Sequence, residues 1–120
     1  MPHSKSILTI SRNAELQNLR TLVLREAGYE VAAAVNDAEA IRLFEAPNSF
    51  GLVLLCHSVP EASRIQLVTR IKTLTAKLPV LMLYNGYEST AARVDGSLHN
   101  LDSPQQMLSM IDFLMKSVGH

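Results

Sequence analysis

The sequence predicts an α/β domain: a five-stranded parallel sheet with helices on both faces, packed as a three-layer sandwich. Two observations carry this. Apolar runs of strand length recur along the chain, namely ILTI (7–10), YEVAAAV (29–35), GLVLLC (51–56), PVLMLY (79–84) and the weaker SLHNL (97–101). Between them lie segments with helical spacing, and strands that alternate with helices pair in parallel because parallel neighbours need a crossover. At 120 residues, 48% of them hydrophobic, the chain has enough apolar matter for one core, so residues 1–120 read as one domain.

Each element has its own justification. After the first strand, Leu16, Leu19, Val23 and Ala27 form a stripe expected to face the sheet, and Gly28 follows where a helix needs a left-handed residue to stop. Asn36 with Glu39 fits a reciprocal capping pattern that starts the second helix, whose inward residues are Ile41 and Phe44. Leu67, Ile71 and Leu74 give the inward stripe of the third. After the fourth strand, GYESTAARVDG supports only a short polar helix before Gly96. The closing helix opens with Ser103 as cap and Pro104 at its first position, and presents Met107, Ile111, Leu114 and Val118 on one face.

Composition narrows the function. Eleven basic and eleven acidic residues cancel, so the long-range attraction that draws nucleic acids or anionic membranes is missing. A single cysteine makes no internal disulfide and the amino-terminal apolar stretch is too short for a signal peptide, which together predict a cytoplasmic setting. No apolar stretch reaches membrane-spanning length. The histidines at 3, 57, 99 and 120 lack metal-ligand spacing, and Met107, Met110 and Met115 read as packing on the last helix.

In a parallel α/β sheet the pocket forms beyond the carboxyl ends of the strands. Those ends are Ser11 and Arg12, then Cys56, then Tyr84 and Asn85, then Ser103 and Pro104. The succession ILTISRN, LREAGYEV, NDAEAIRLF, LVLLCHSVP, LPVLMLYN and DGSLHNLDSP resembles the receiver domain of two-component response regulators over essentially the whole chain. The resemblance implies a flavodoxin-like (βα)5 sandwich with strand order 2-1-3-4-5 that takes a phosphoryl group from a histidine kinase. It also implies a nucleophilic aspartate ending the third strand, two acidic residues after the first to help hold magnesium, a serine or threonine ending the fourth, and a lysine before the proline that follows the fifth. A carboxylate attacks phosphorus, and the metal and ammonium neutralise the charge that develops.

This chain departs at each of those positions. Ser11 and Arg12 replace the acidic pair, Cys56 the phosphoacceptor, Tyr84 the hydroxyl residue and Ser103 the lysine, and Asn100 stands where many members have an aromatic. The scaffold residues Pro60, Gly96 and Pro104 remain. A hard divalent cation wants carboxylate oxygens and the Arg12 guanidinium repels it. The expectation is an aspartate-less, degenerate pseudo-receiver: not an enzyme, without magnesium or another cofactor, and without nucleic-acid or membrane contact of its own. It would act as a phosphorylation-independent interaction or dimerisation module. By the same resemblance its partner face lies on the fourth helix, fifth strand and fifth helix, drawing on Arg93, His99, Asn100 and Met110.

The alternative is a sensor. In it Arg12 binds a small anion, or Cys56, with its thiol pKa lowered by a nearby cation, reads oxidation. Against it, cysteine at a strand end is commonly a small buried hydrophobe, no second cysteine resolves an oxidised sulfur, and Arg12 has the option of bonding strand-end carbonyls or an acid such as Asp102. Ser103 reads first as a helix cap, and Tyr84 as filling for the space left by metal and lysine.

Overall fold

A computed structural model describes residues 5–46, 50–84, 94–99 and 103–118. The elements run β1 (Ser6–Ile10), α1 (Ala14–Glu26), β2 (Glu30–Ala34), α2 (Asp37–Glu45), β3 (Phe50–Leu55), α3 (Glu61–Leu74), β4 (Val80–Tyr84), β5 (Gly96–His99) and α4 (Pro104–Val118). All neighbouring strands pair in parallel, in the order β2-β1-β3-β4-β5. Four helices lie among the described residues; most of the stretch expected to form a short polar helix before Gly96, namely residues 86–93, falls outside them. The closing helix is therefore α4 here, the fifth helix of the resemblance.

The central strands read as unbroken apolar runs because both their faces are covered. Leu8, Ile10, Val53, Leu55 and Val80 point to one layer and pack with Phe44, Leu67, Val68 and Ile71 of α2 and α3. Ile7, Leu52, Leu54, Leu81 and Leu83 alternate to the other and pack with Leu24, Met107, Ile111 and Leu114 of α1 and α4.

Two of the expected stripes are displaced. In α1 Leu19 is 60% exposed and Ala27 is exposed, while the buried residues are Gln17, Thr21 and Leu24. The physical reason is polar. The Gln17 amide accepts from Thr9 Oγ1 at 2.8 Å and donates to the carbonyls of Ala34 at 2.8 Å and Thr9 at 3.2 Å. These bonds turn a hydrophilic residue toward the sheet and carry Leu19 outward. In α3 Leu74 is 56% exposed and Val68 is buried with Leu67 and Ile71. Leu74 ends the helix, where it lines the groove between α2 and α3 with Ile41 and Ile65.

The helix ends follow the expected chemistry. Gly28 has φ +98°, and Tyr29 N–H reaches back to the Leu24 carbonyl at 3.1 Å, closing α1 with a left-handed residue. Asn36 Oδ1 accepts from Glu39 N–H at 2.8 Å, and Glu39 Oε1 accepts from Val35 N–H at 3.0 Å, one residue earlier than the capping box places it. Ser103 Oγ accepts from Gln106 N–H at 3.2 Å, as its capping role requires.

At the opposite end of the sheet, Lys72 Nζ donates to Asp95 Oδ2 at 2.6 Å and to the Leu78 carbonyl at 2.8 Å. The same Asp95 oxygen accepts from Val80 N–H at 2.7 Å. Lys72 and Asp95 thus tie the end of α3 to the starts of β4 and β5. Lys72→Met is expected to lower unfolding free energy by about 1–2 kcal/mol in urea titration, because it leaves Asp95 and the Leu78 carbonyl without their charged donor.

Candidate functional site

The mouth of the sheet is built where β1 and β3 end. Ser11 is buried; its N–H donates to the Ala34 carbonyl at 3.1 Å, its Oγ accepts from Asn13 N–H at 3.1 Å, and it stands 2.9 Å from Ser58 Oγ. Ser58 Oγ also accepts from Arg12 N–H at 2.8 Å. The two hydroxyls therefore stitch the turn after β1 to the turn after β3 and consume most of each other's bonding capacity.

Arg12 reaches across the mouth. Its Nη2 donates to Asp37 Oδ1 at 2.8 Å and to Ser63 Oγ at 3.4 Å, so a guanidinium links the ends of β1, α2 and α3. The acidic partner is Asp37; Asp102, the acid considered from the sequence, lies outside the described residues. Partial burial alone would raise the Asp37 carboxyl, but hydrogen bonds from Arg12 and Ser63, with the Arg12 charge, outweigh it and hold the group below its ordinary value. A depressed carboxyl stabilises the fold above its unfolded pKa and loses that contribution as pH falls through the folded one. Both side chains are about one-third exposed, so solvent screening keeps the effect small. Asp37→Asn is expected to cost less than about 1 kcal/mol at neutral pH and nothing in acid, read by denaturant titration at the two pH values.

Cys56 follows β3 with no exposed surface. Its N–H donates to the Ile10 carbonyl at 2.9 Å and its Sγ lies 3.9 Å from Thr9 Oγ1. Burial pushes the thiol pKa up; the Arg20 charge and hydrogen bonding with Thr9, Arg20 and Ser11 offset this only in part. The thiol is therefore protonated at neutral pH and shielded, the opposite of an activated nucleophile. In native protein an aromatic disulfide reagent is expected to leave Cys56 unmodified from about pH 7 to pH 9, with rapid reaction only in denaturant. Native reaction at the rate of an exposed cysteine would contradict this.

No family model matches the chain. Over 96% of its length it is 26% identical to the phosphate regulon transcriptional regulatory protein PhoB of Pseudomonas aeruginosa, and it spans about half (53%) of that protein. The CheY-like response regulator receiver domain protein of Methanospirillum hungatei superposes with a TM-score of 0.85 at 21% identity, covering 96% of each chain. The response regulator TrrA of Thermotoga maritima, solved with Mg2+-BeF, superposes at 0.78 with 24% identity over 91% of this chain and 97% of its own. The chain has the receiver fold.

On the receiver fold the remaining expected positions fall as follows. Tyr84 ends β4, half-buried, opposite His99 in the β4–β5 register. Ser103 is exposed and caps α4. Met110 is half-buried, and its Sδ would lie 3.5 Å from a Cβ built on Gly96, which puts it on the β5 side of α4. Arg93 and Asn100 lie outside the described residues, and of His99 only the backbone is described. The structure thus brings together Ser11, Arg12 and Cys56, and adds Ser58, Asp37, Ser63 and Arg20, which the sequence reading had not picked out. Asp37 carried a signal, an acid in the first turn of α2 at a strand mouth; Ser58, Ser63 and Arg20 carried none.

Proposed function

We propose that the chain is an atypical receiver domain of a two-component signalling system, one that takes no phosphoryl group on aspartate and works as a phosphorylation-independent interaction or dimerisation module with no catalysis of its own. The observation that carries this is the end of β3. A buried, protonated thiol stands where the resemblance requires a carboxylate nucleophile, and the guanidinium of Arg12 occupies the mouth where a cation would have to be held. TrrA, of the same fold, was solved with Mg2+-BeF, so that reagent is the natural probe. Beryllium fluoride with magnesium, and separately a small-molecule phosphodonor, are expected to give no spectral change and no covalent label here. Stoichiometric magnesium-dependent labelling would overturn the reading.

To the partner face proposed on β5 and α4 we add Phe113. Phe113 is 64% exposed, and at i+3 from Met110 it shares that side of α4. A large exposed aromatic beside a half-buried methionine suits a protein partner or a second copy of the chain. Phe113→Ser is expected to weaken self-association or partner capture at least about tenfold while leaving the unfolding midpoint nearly unchanged. Sedimentation of the two proteins side by side, with urea titration, reads both.

The sensor reading loses its first support, since Arg12 is already paired with Asp37. Its second, oxidation at Cys56, runs against the burial of the thiol.

A further inference from the structure

The groove between α2 and α3 lies on the opposite layer of the sandwich from α4. It holds about 740 Å³, within the roughly 300–1,000 Å³ of small-molecule sites. Ile41 of α2 with Ile65 and Leu74 of α3 give it an apolar lining, and Gln66 and Thr69 add an amide and a hydroxyl. Leu74 is 56% exposed, so a large apolar side chain in the groove is left facing water.

Two side-chain bridges cross this groove from one helix to the other. Arg12 Nη2 donates to Asp37 Oδ1 on α2 and to Ser63 Oγ on α3, while Arg70 Nε of α3 donates to Glu45 Oε2 of α2 at 2.7 Å. The rise of a helix puts Ser63 and Arg70 about 10 Å apart along α3. A partner helix laid lengthwise would have to displace both bridges to reach the isoleucines; a small molecule fits between them and breaks neither. Charge points the same way. The two charged residues on the lining, Asp37 and Arg70, are each matched within the chain, so a charged occupant meets no unengaged counter-charge among them.

We propose that the α2–α3 groove binds a neutral, mainly apolar small molecule, about the length of two fused rings, on Ile41, Ile65 and Leu74 between the Arg12–Asp37 and Arg70–Glu45 bridges. This site goes beyond the interaction reading and does not rest on it, since the labelling and association tests above are separate readouts.

The probe is prodan, a neutral naphthalene ketone whose emission moves to the blue in apolar surroundings. Titrated with the whole chain, it is expected to shift to the blue and saturate with a dissociation constant on the order of 100 μM, and to move the backbone amide resonances of Ile41, Ile65 and Thr69. A naphthalenesulfonate, with similar rings and a fixed negative charge, is expected to bind at least about tenfold more weakly. Thr69 is exposed, so Thr69→Trp fills the groove without burdening the core and is expected to weaken prodan binding about tenfold or more. Leu74→Ser, also at an exposed site, removes part of the lining and is expected to weaken it about threefold, whereas Phe113→Ser leaves it unchanged. No blue shift up to millimolar protein, binding that persists in both groove variants, or tighter binding of the sulfonate would each overturn the proposal. So would self-association that Thr69→Trp abolishes, which would give the groove to a second copy of the chain.

Discussion

Gln17→Ala is expected to remove about 3 kcal/mol of stability, the largest effect of any single polar residue in this fold. The side chain is buried, and its amide joins α1 to β1 and β2 through Thr9 Oγ1, the Thr9 carbonyl and the Ala34 carbonyl. Truncation opens a cavity and strands the buried Thr9 hydroxyl, two costs that add. Replacing both partners by apolar groups of similar shape removes the second cost. The double variant Thr9→Val, Gln17→Leu is therefore expected to recover more than half of what Gln17→Ala loses, by chemical denaturation of the set. A double variant no more stable than Gln17→Ala would show that the hydrogen bonds are not what holds α1 in its rotation.

Cys56→Asp puts back the carboxylate that the resemblance calls for, and it is expected to damage the fold without restoring a switch. The position has no solvent exposure, so an ionised carboxylate there loses its hydration; Arg20 beside it returns only part of that. A net loss of about 2–4 kcal/mol at neutral pH follows. Burial raises the carboxyl pKa in the folded state, so the penalty shrinks as pH falls and the group protonates, the reverse of the slope at Asp37. Magnesium-dependent phosphorylation is expected to stay absent, since Arg12 still spans the mouth to Asp37. Measurable labelling of Cys56→Asp would mean that the nucleophile alone had been the missing part.

These cases show what was legible in the sequence. The five strands were, because both-face burial writes continuous apolar runs at β1, β3 and β4, and because Gly28, Asn36 and Ser103 mark helix ends by local chemistry that needs no tertiary context; their order came only with the receiver resemblance. The rotation of α1 was not. A pattern of apolar residues assigns Leu19 to the core, and only the pairing of Gln17 with groups on two strands, distant in sequence, reverses it. At the site, the positions of Ser11, Arg12 and Cys56 followed from strand ends alone. Their partners did not, since Asp37 is brought there by the crossover from β2 to β3, Ser58 and Ser63 by the one from β3 to β4, and Arg20 by the pitch of a helix.

The tie between Lys72 and Asp95 sits at the far end of the sheet from this mouth. Its consequence is a division of labour along the strands. One edge of the sandwich is fastened by a charged clasp that also orders the backbone of β4, while the other carries the residues that differ from the receiver pattern. Exchanges at the mouth therefore leave the fastening untouched, and the strand ends there can vary while the starts of β4 and β5 stay tied to α3.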